Sequence, residues 1–415
     1  MEQRIVRALP LSVRLTFSAL RHPNYRLWFY GQLVSLVGTW MQNTAQGYLV
    51  FQLTQSPAYL GYVGFAAGLP SWLFTLFGGV IADRMPRRTL LLITQTTMMV
   101  LALVLAGLFF AGMVQPWHII VLAFLLGIAN AFDAPARQAL VVELVDDRAD
   151  LTNAIALNST MFNTATVVGP AVAGFTYALF GAGWCFVING LSFIAVIVAL
   201  VMMKLKPVDT ISRATSAMRQ MKDGFIYVIK NRTIAMLIIN LGIVTLLSLG
   251  MVNLLPDWAV KIMHGDVTTN GLMIAARGAG AMVGALMVAA MGHRQVKGRM
   301  WAFGSLVLAA LMVAFALTSW LPLSLVLLVG LGLSFMLVAN TSNVMVQSAI
   351  RDELRGRVMS IYSLIFFGAM PIGSLLTGLL AARYGEVITI ASSGAILLGF
   401  ALLVFARTAD VRKMY

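Results

Sequence analysis

Apolar residues run along this chain in stretches of about twenty, separated by short polar or Gly/Pro-containing breaks. That length matches the thickness of a bilayer core, not one face of a soluble helix. Counting such stretches predicts twelve spans, at 27–53, 59–82, 89–114, 117–142, 153–178, 184–203, 233–260, 269–291, 300–320, 323–349, 358–382 and 387–406. Between the sixth and the seventh lies the one long polar segment, 204–232. Within it, MRQMKDGFIYVIKNR has the amphipathic pattern of a helix lying along a membrane surface. The expected fold is therefore an all-α membrane protein of twelve transmembrane helices in two six-helix bundles. The bundles occupy 1–203 and 233–415, joined by the linker 204–232.

Composition agrees. Of 415 residues, 60% are hydrophobic and 11% charged, and the mean hydropathy is +0.88. A soluble domain carries about 25% charged residues, so the solvent for most of this surface is lipid. The lone cysteine, Cys185, excludes a disulfide framework and a cysteine metal cluster. The net charge of +14 would suit nucleic acid, but its placement points to membrane topology instead. Of 29 Lys and Arg, only Lys261 and Arg383 fall on one set of loops, and Arg277 lies within a span, which leaves 26 for the other side. The positive-inside rule then puts both termini and the linker in the cytoplasm. Arg4, Arg7, Arg14, Arg21 and Arg26 are not followed by the short apolar core and cleavage site of a signal peptide. Residues 9–20 read as a short interfacial helix or as a basic tail.

A shift of 210 residues superposes sparse features of the two halves. Asn43 falls on Asn253, Gly61 on Gly271, Asp83-Arg84 on His293-Arg294 and Arg87 on Lys297. Asn130, Asp133 and Arg137 fall on Asn340, Asn343 and Gln347, and Glu143-Leu144 on Glu353-Leu354. Parallel repeats of this kind place a binding site at their interface.

The stretch Gly79-Val-Ile-Ala-Asp83-Arg84-Met-Pro-Arg87-Arg88 resembles the loop 2–3 signature of the major facilitator superfamily, with Pro86 where that family usually has glycine. Residues 132–174 resemble the branch that holds enterobactin exporters and drug-efflux proteins. Within them, Gly169-Pro170-Ala-Val-Ala173-Gly174 is similar to the fifth-helix exporter motif, with one final glycine replaced by Ala173. The resemblance covers nearly the whole chain and implies secondary active transport by alternating access. It implies that the first, fourth, seventh and tenth spans line the central path.

Several residues then become candidates. Arginines at a cytoplasmic loop need no explanation beyond topology, but Asp83 gains nothing from it, so Gly79, Asp83, Arg84, Arg87 and Arg88 are read as a gating lock between the halves. Asp133 and Arg137 share a helix face four residues apart and join the same network. Asp257 beside Pro256, with Arg277 at similar depth, is either an outer ion pair or a proton acceptor next to an anion-binding arginine. Asp133 is the other proton candidate. Trp40, Gln42, Asn43, Gln46, Asn253, Asn340 and Asn343 are candidate walls of a substrate cavity, or interhelical hydrogen-bonding groups. Gly169, Pro170 and Gly174 read as a hinge or gliding surface, or as a static kink.

No G-x-x-x-x-G-K-S/T loop is present, so the expected energy source is a proton gradient and no cofactor is expected. No nucleophile–base constellation stands out, so an enzyme is not expected. His22, His118, His264 and His293 are scattered and no metal site is expected. The expected protein is a monomeric antiporter of the bacterial inner membrane that exports a siderophore of the catecholate kind or a hydrophobic drug. A symporter, a lysophospholipid flippase or a non-transporting membrane sensor of the same fold stay open as alternatives, and metal export finds less support.

Overall fold

The computed structural model describes residues 17–145, 147–205, 217–291, 296–351 and 354–407. Helix dominates them. After a 3-10 turn at Ser18–Arg21 come α1 (Pro23–Thr54), α2 (Pro57–Arg84), α3 (Arg87–Phe110), α4 (Pro116–Glu143), α5 (Arg148–Phe180) and α6 (Ala182–Met202). The linker helix α7 (Ala217–Lys230) leads into α8 (Arg232–Asn253) and the short α9 (Leu255–Lys261). Then follow α10 (Val267–Ala290), α11 (Lys297–Ala316), α12 (Leu321–Ala349), α13 (Arg355–Tyr384) and α14 (Glu386–Arg407). Nine of these, α3, α4, α6, α8 and α10 to α14, are long and apolar enough to cross a membrane. Helices α1, α2 and α5 are longer than most of them, at 32, 28 and 33 residues, and α1 is more polar because it carries Gln32, Gln42, Asn43 and Gln46.

Local chemistry sets the boundaries. Prolines open α1, α2, α4 and α12 at the first turn, where a missing N–H leaves no bond unmade. The turns from α5 to α6 and from α13 to α14 each consist of one glycine, Gly181 and Gly385, at φ +86° and +87°. A side chain would be strained in that left-handed conformation. Their separation is 385 − 181 = 204 residues, so the repeat register of 210 shortens by six before these turns. One expectation is corrected here. The span read as 233–260 is broken at Leu254, because Pro256 cannot continue the hydrogen-bond ladder of α8 and instead starts α9.

Helix pairing repeats as well. Among residues 23–202, α1 packs on α5 and α6, α2 on α4, and α3 on α4 and α6. Six spans later α8 packs on α13 and α14, α10 on α12, and α11 on α12 and α14. Lipid is as apolar as leucine, so burial from water does not drive this association; close van der Waals fit and interhelical hydrogen bonds do. Trp28, Trp258 and Trp301 are fully enclosed, while Leu191, Val198, Leu286 and Leu402 face outward.

At the end that carries the linker, Asn24 donates to the Lys204 carbonyl at 2.9 Å and accepts from its N–H. Ala19 N–H donates to Asn153 at 3.0 Å, and His22 meets Asp150 at 3.1 Å. These contacts fasten the start of α1 to α5 and α6. Helix α7 packs against α13, with Gly224 against the Arg357 backbone and Phe225, Ile226 and Ile229 exposed. The N-terminal segment 9–16 and most of the second loop copy, at 292–295, lie outside the described residues, as does Glu353.

Candidate functional site

Two helix pairs join the N-terminal helices to the C-terminal ones, α2 with α13 and α5 with α10. Each is the six-span counterpart of the other. Both are built on glycine. A Cβ on Gly61 would stand 3.0 Å from the Ser374 carbonyl oxygen and 3.1 Å from Gly378 Cα. A Cβ on Gly271, the residue 210 further on, would stand 3.1 Å from Gly174 Cα and closer still to the Pro170 carbonyl. Gly68 faces Pro371 of α13, and its counterpart Gly278 faces Thr166 of α5. All these residues lie in the half of the molecule remote from the linker, here the distal half. Gly47 facing Pro256, and Lys261 over the Phe51 ring at 5.6 Å, add α1 and α9 to the same seam.

The helix-five motif therefore bridges three helices. Gly169 lies against Val37, Trp40 and Met41 of α1, while Pro170 and Gly174 lie against α10 across the seam. Pro170 sits inside α5 without ending it, and Pro371 does the same in α13.

The amides divide into two kinds. Gln42, 4% exposed, accepts from Asn189 Nδ2 of α6 at 2.7 Å, an interhelical bond inside one bundle. Gln46 is buried as well. Asn253 donates to Ser374 at 2.6 Å and stands beside Gly64, at the junction of α2, α8 and α13. Asn343 accepts from Gln347 at 2.6 Å within α12, and Asn340 is half-buried one turn away. Asn43 is exposed and lies one turn from Gly47, on the α1 face that meets Pro256 of the other half. Trp40 makes an edge contact with Phe162 of α5 at 5.9 Å. Asn43 thus presents an unspent amide on the cleft side of α1, while Gln42 and Asn253 are tied to neighbours.

At the linker end, Arg87 pairs with Glu143 at the end of α4. Arg88 caps α6, donating to the carbonyls of Val201 at 2.7 Å and Met203 at 3.4 Å. Both sets of partners belong to the same group of helices as the arginines, so among the described residues these two fasten their own group of helices. Arg84 is exposed, and the Asp83 side chain lies outside the described set. Gly79 has open space around its Cα.

Two buried acids complete the picture. Asp133, 1% exposed, has both oxygens engaged: Oδ1 accepts from Thr94 at 2.9 Å and Gln95 at 2.8 Å, and Oδ2 faces Arg137 at 3.4 Å. Asp257, 0% exposed, does not pair with Arg277, which removes the ion pair, one of the two readings the sequence left open. Its partner is Lys261, one helical turn on at 2.8 Å, which also holds Glu386 of α14 at 2.7 Å. Arg277 lies instead on the Phe335 ring, 5.7 Å from its centre, beside a cavity of about 10 Å³ lined also by Ser248, Met251, Leu308, Met312 and Leu331.

Sequence reasoning missed Lys261, Glu386 and Asn189. The i,i+4 spacing of Asp257 and Lys261 was available as a signal, whereas Glu386 and Asn189 become neighbours only through tertiary packing.

A family model described as transmembrane secretion effector matches residues 14–414, nearly the whole chain. The chain belongs to that family, a branch of the major facilitator superfamily, and is a multi-pass membrane transporter of the efflux type. It is 24% identical over 375 residues to the staphyloferrin A transporter of Staphylococcus aureus, covering 89% of this chain and 92% of that one. It is 23% identical over 408 residues to macrolide efflux protein A of Streptococcus pyogenes, covering 95% and 99%. Among solved structures, the peptide transporter POT superposes with a TM-score of 0.75 at 13% identity, over 95% of this chain and 96% of that one.

Proposed function

We propose that this chain is a monomeric, proton-coupled exporter of a small organic molecule in a bacterial cytoplasmic membrane. It works by alternating access, residues 1–203 rocking against 233–406. The observation that carries this reading is the seam. Two pseudo-symmetric helix pairs meet backbone to backbone in the distal half, a geometry that can part and re-form without repacking large side chains. The charge bias puts the linker end in the cytoplasm, so the closed distal half faces outward. Cargo then enters from the cytoplasm, past Asn43, Asn340 and Trp40, and leaves when the distal seam opens.

The relatives support a cargo class of siderophores and hydrophobic drugs, since one is named for staphyloferrin A and another for macrolides. Asp83 and Arg84 are assigned to a lock at the linker end, and Asp257 to proton exchange. A proton can reset the cycle only if its acid sits in different surroundings in the two states. Proteoliposomes loaded with a siderophore or a macrolide test the whole reading under an imposed pH gradient. Cargo movement should follow the gradient and stop in Asp83→Asn; movement indifferent to gradient collapse sinks the proton coupling. A thermal-shift panel in which only a phospholipid stabilises the protein sinks the cargo class.

A further inference from the structure

Three charged groups at the distal end of the C-terminal helices exceed what the seam needs. Asp257 in α9 is fully buried, and Lys261 Nζ lies 2.8 Å from its Oδ1. The same Nζ lies 2.7 Å from Oε1 of Glu386, the first residue of α14, whose side chain is 12% exposed. Lys261 is thus shared between the two carboxylates. Lys261 also stands 5.6 Å from the centre of the Phe51 ring of α1, on the other side of the seam.

Other titratable groups nearby are occupied or turned away. Asp266 caps α10 through the N–H groups of Thr268 and Thr269, Tyr48 of α1 stacks edge-on with Tyr177, and His264 is exposed in the turn before α10. Arg383, at the end of α13, lies over Tyr384. Among the described residues, Lys261 is the cation within ion-pair distance of the two carboxylates.

Two carboxylates and one ammonium leave a net charge of −1 around the fully buried Asp257, while Lys261 is 37% exposed, and an uncompensated buried charge is strongly unfavourable. One proton cancels it. We infer that Asp257, Lys261 and Glu386 form a one-proton site, in which closing the distal seam takes up one proton from the outer solution. The proton forms an O–H bond on one of the two carboxyl groups, and Lys261 neutralises the other. Release of that proton toward the cytoplasmic side restores the net charge of −1, which favours reopening of the distal seam. Lys261 is the positioning residue, because its ammonium also lies on Phe51 and so carries the charge state of the pair to α1. This assignment rests on the proton-coupled reading for its place in transport, and adds a second acid and a cation to Asp257.

The test uses the full chain in nanodiscs, with spin labels at Leu53→Cys and Trp320→Cys, both exposed at the distal end. The distance between them is followed against pH. The wild type should be closed in acid and open in alkali. Glu386→Gln removes one negative charge, so the triad is neutral without a proton and the distal end stays closed into alkali. Lys261→Met leaves two carboxylates that need two protons, so opening moves to lower pH by about one unit or more. Lys261→Arg should restore the wild-type midpoint. A wild-type distance that ignores pH overturns the inference, as do midpoints that coincide or move the same way in the two variants. Should Lys261→Met fail to fold, the near-isosteric Glu386→Gln decides alone. Flux separates this from the broader reading. Gradient-driven cargo movement with coincident midpoints sinks the triad alone. Midpoints that separate as expected, with flux indifferent to the gradient, leave the triad as the gate's proton site and sink proton coupling.

Discussion

Asp133 and Asp257 are the same residue type, both shut away from solvent inside a membrane protein, yet their surroundings differ in kind. Asp133 is saturated by three donors from fixed positions on α3 and α4. Asp257 shares a single lysine with a second acid. A proton arriving at Asp133 would have to displace a bonded group. At Asp257 it would relieve an excess of negative charge. Burial alone therefore does not distinguish the two acids; the balance of charge among their partners does.

The largest test of that contrast is stability. Asp133→Leu strands Arg137 and the donors of Thr94 and Gln95. Breaking a buried pair from one side costs about 3–5 kcal/mol, and the 21% exposure of Arg137 sets this case at the low end, about 3 kcal/mol. Asp257→Asn should leave the melting temperature in detergent level or higher. Equal losses in both variants would break the comparison.

Next in size is the seam. Gly271→Leu puts a side chain against the backbone of Pro170 and Gly174, and should hold the distal end open and cut efflux at least about tenfold, the equivalent of 1.4 kcal/mol. Gly107→Leu, in open space within α3, is the control and should transport normally. If Asp257 acts through closure, adding Asp257→Asn to Gly271→Leu should change nothing further, a coupling that a double-mutant cycle in vesicles reads directly.

A further test separates two adjacent amides. Gln42→Leu leaves the buried Asn189 donor unpaired and should cost about 1–3 kcal/mol of stability. Asn43→Leu should leave melting unchanged and alter which compounds are exported, read as a shift in the thermal-shift ranking of cargo. The reverse outcome would move the cargo wall to the other face of α1.

The smallest effect lies at the linker end, before the span read at 153–178. A side-chain hydrogen bond from Ser18, followed by one from His22, holds the Asp150 carboxyl below its ordinary range. A lowered acid contributes stability above its unfolded value and loses it as pH falls through the folded value. Acid should therefore release residues 18–22 from α5 before the bundle melts. Protection factors at Ala19 and His22, corrected for the intrinsic exchange rate, should fall in acid, and Asp150→Asn should show the same loss of protection at neutral pH.

Much of this was legible in the chain because membrane thickness and helix period act locally. Asn43 and Asn253, Gly61 and Gly271 superposed under one shift, and the i,i+4 pair Asp133–Arg137 formed as its spacing implied. What escaped needed either a break or a long reach. Pro256 signalled the end of α8, but a continuous apolar run hid it, and the pairing of Asp257 with Arg277 stayed open as one of two readings. Asn189 lies 147 residues from Gln42, and Glu386 lies 125 from Lys261, distances over which no periodicity carries information. Arg87 met Glu143 at the end of α4 and Arg88 the last carbonyls of α6, neighbours that only the packed helix ends bring together.

A joint made from absent side chains has a one-way genetics. At Gly61, Gly68, Gly271 and Gly278 no substitution can tighten the fit, since there is nothing smaller to install, and any replacement wedges the halves apart. Random change at these sites should accumulate on one side of the conformational balance only. Selection for outward-open variants should therefore recover them readily at these four codons, and selection for distally closed ones should recover changes elsewhere.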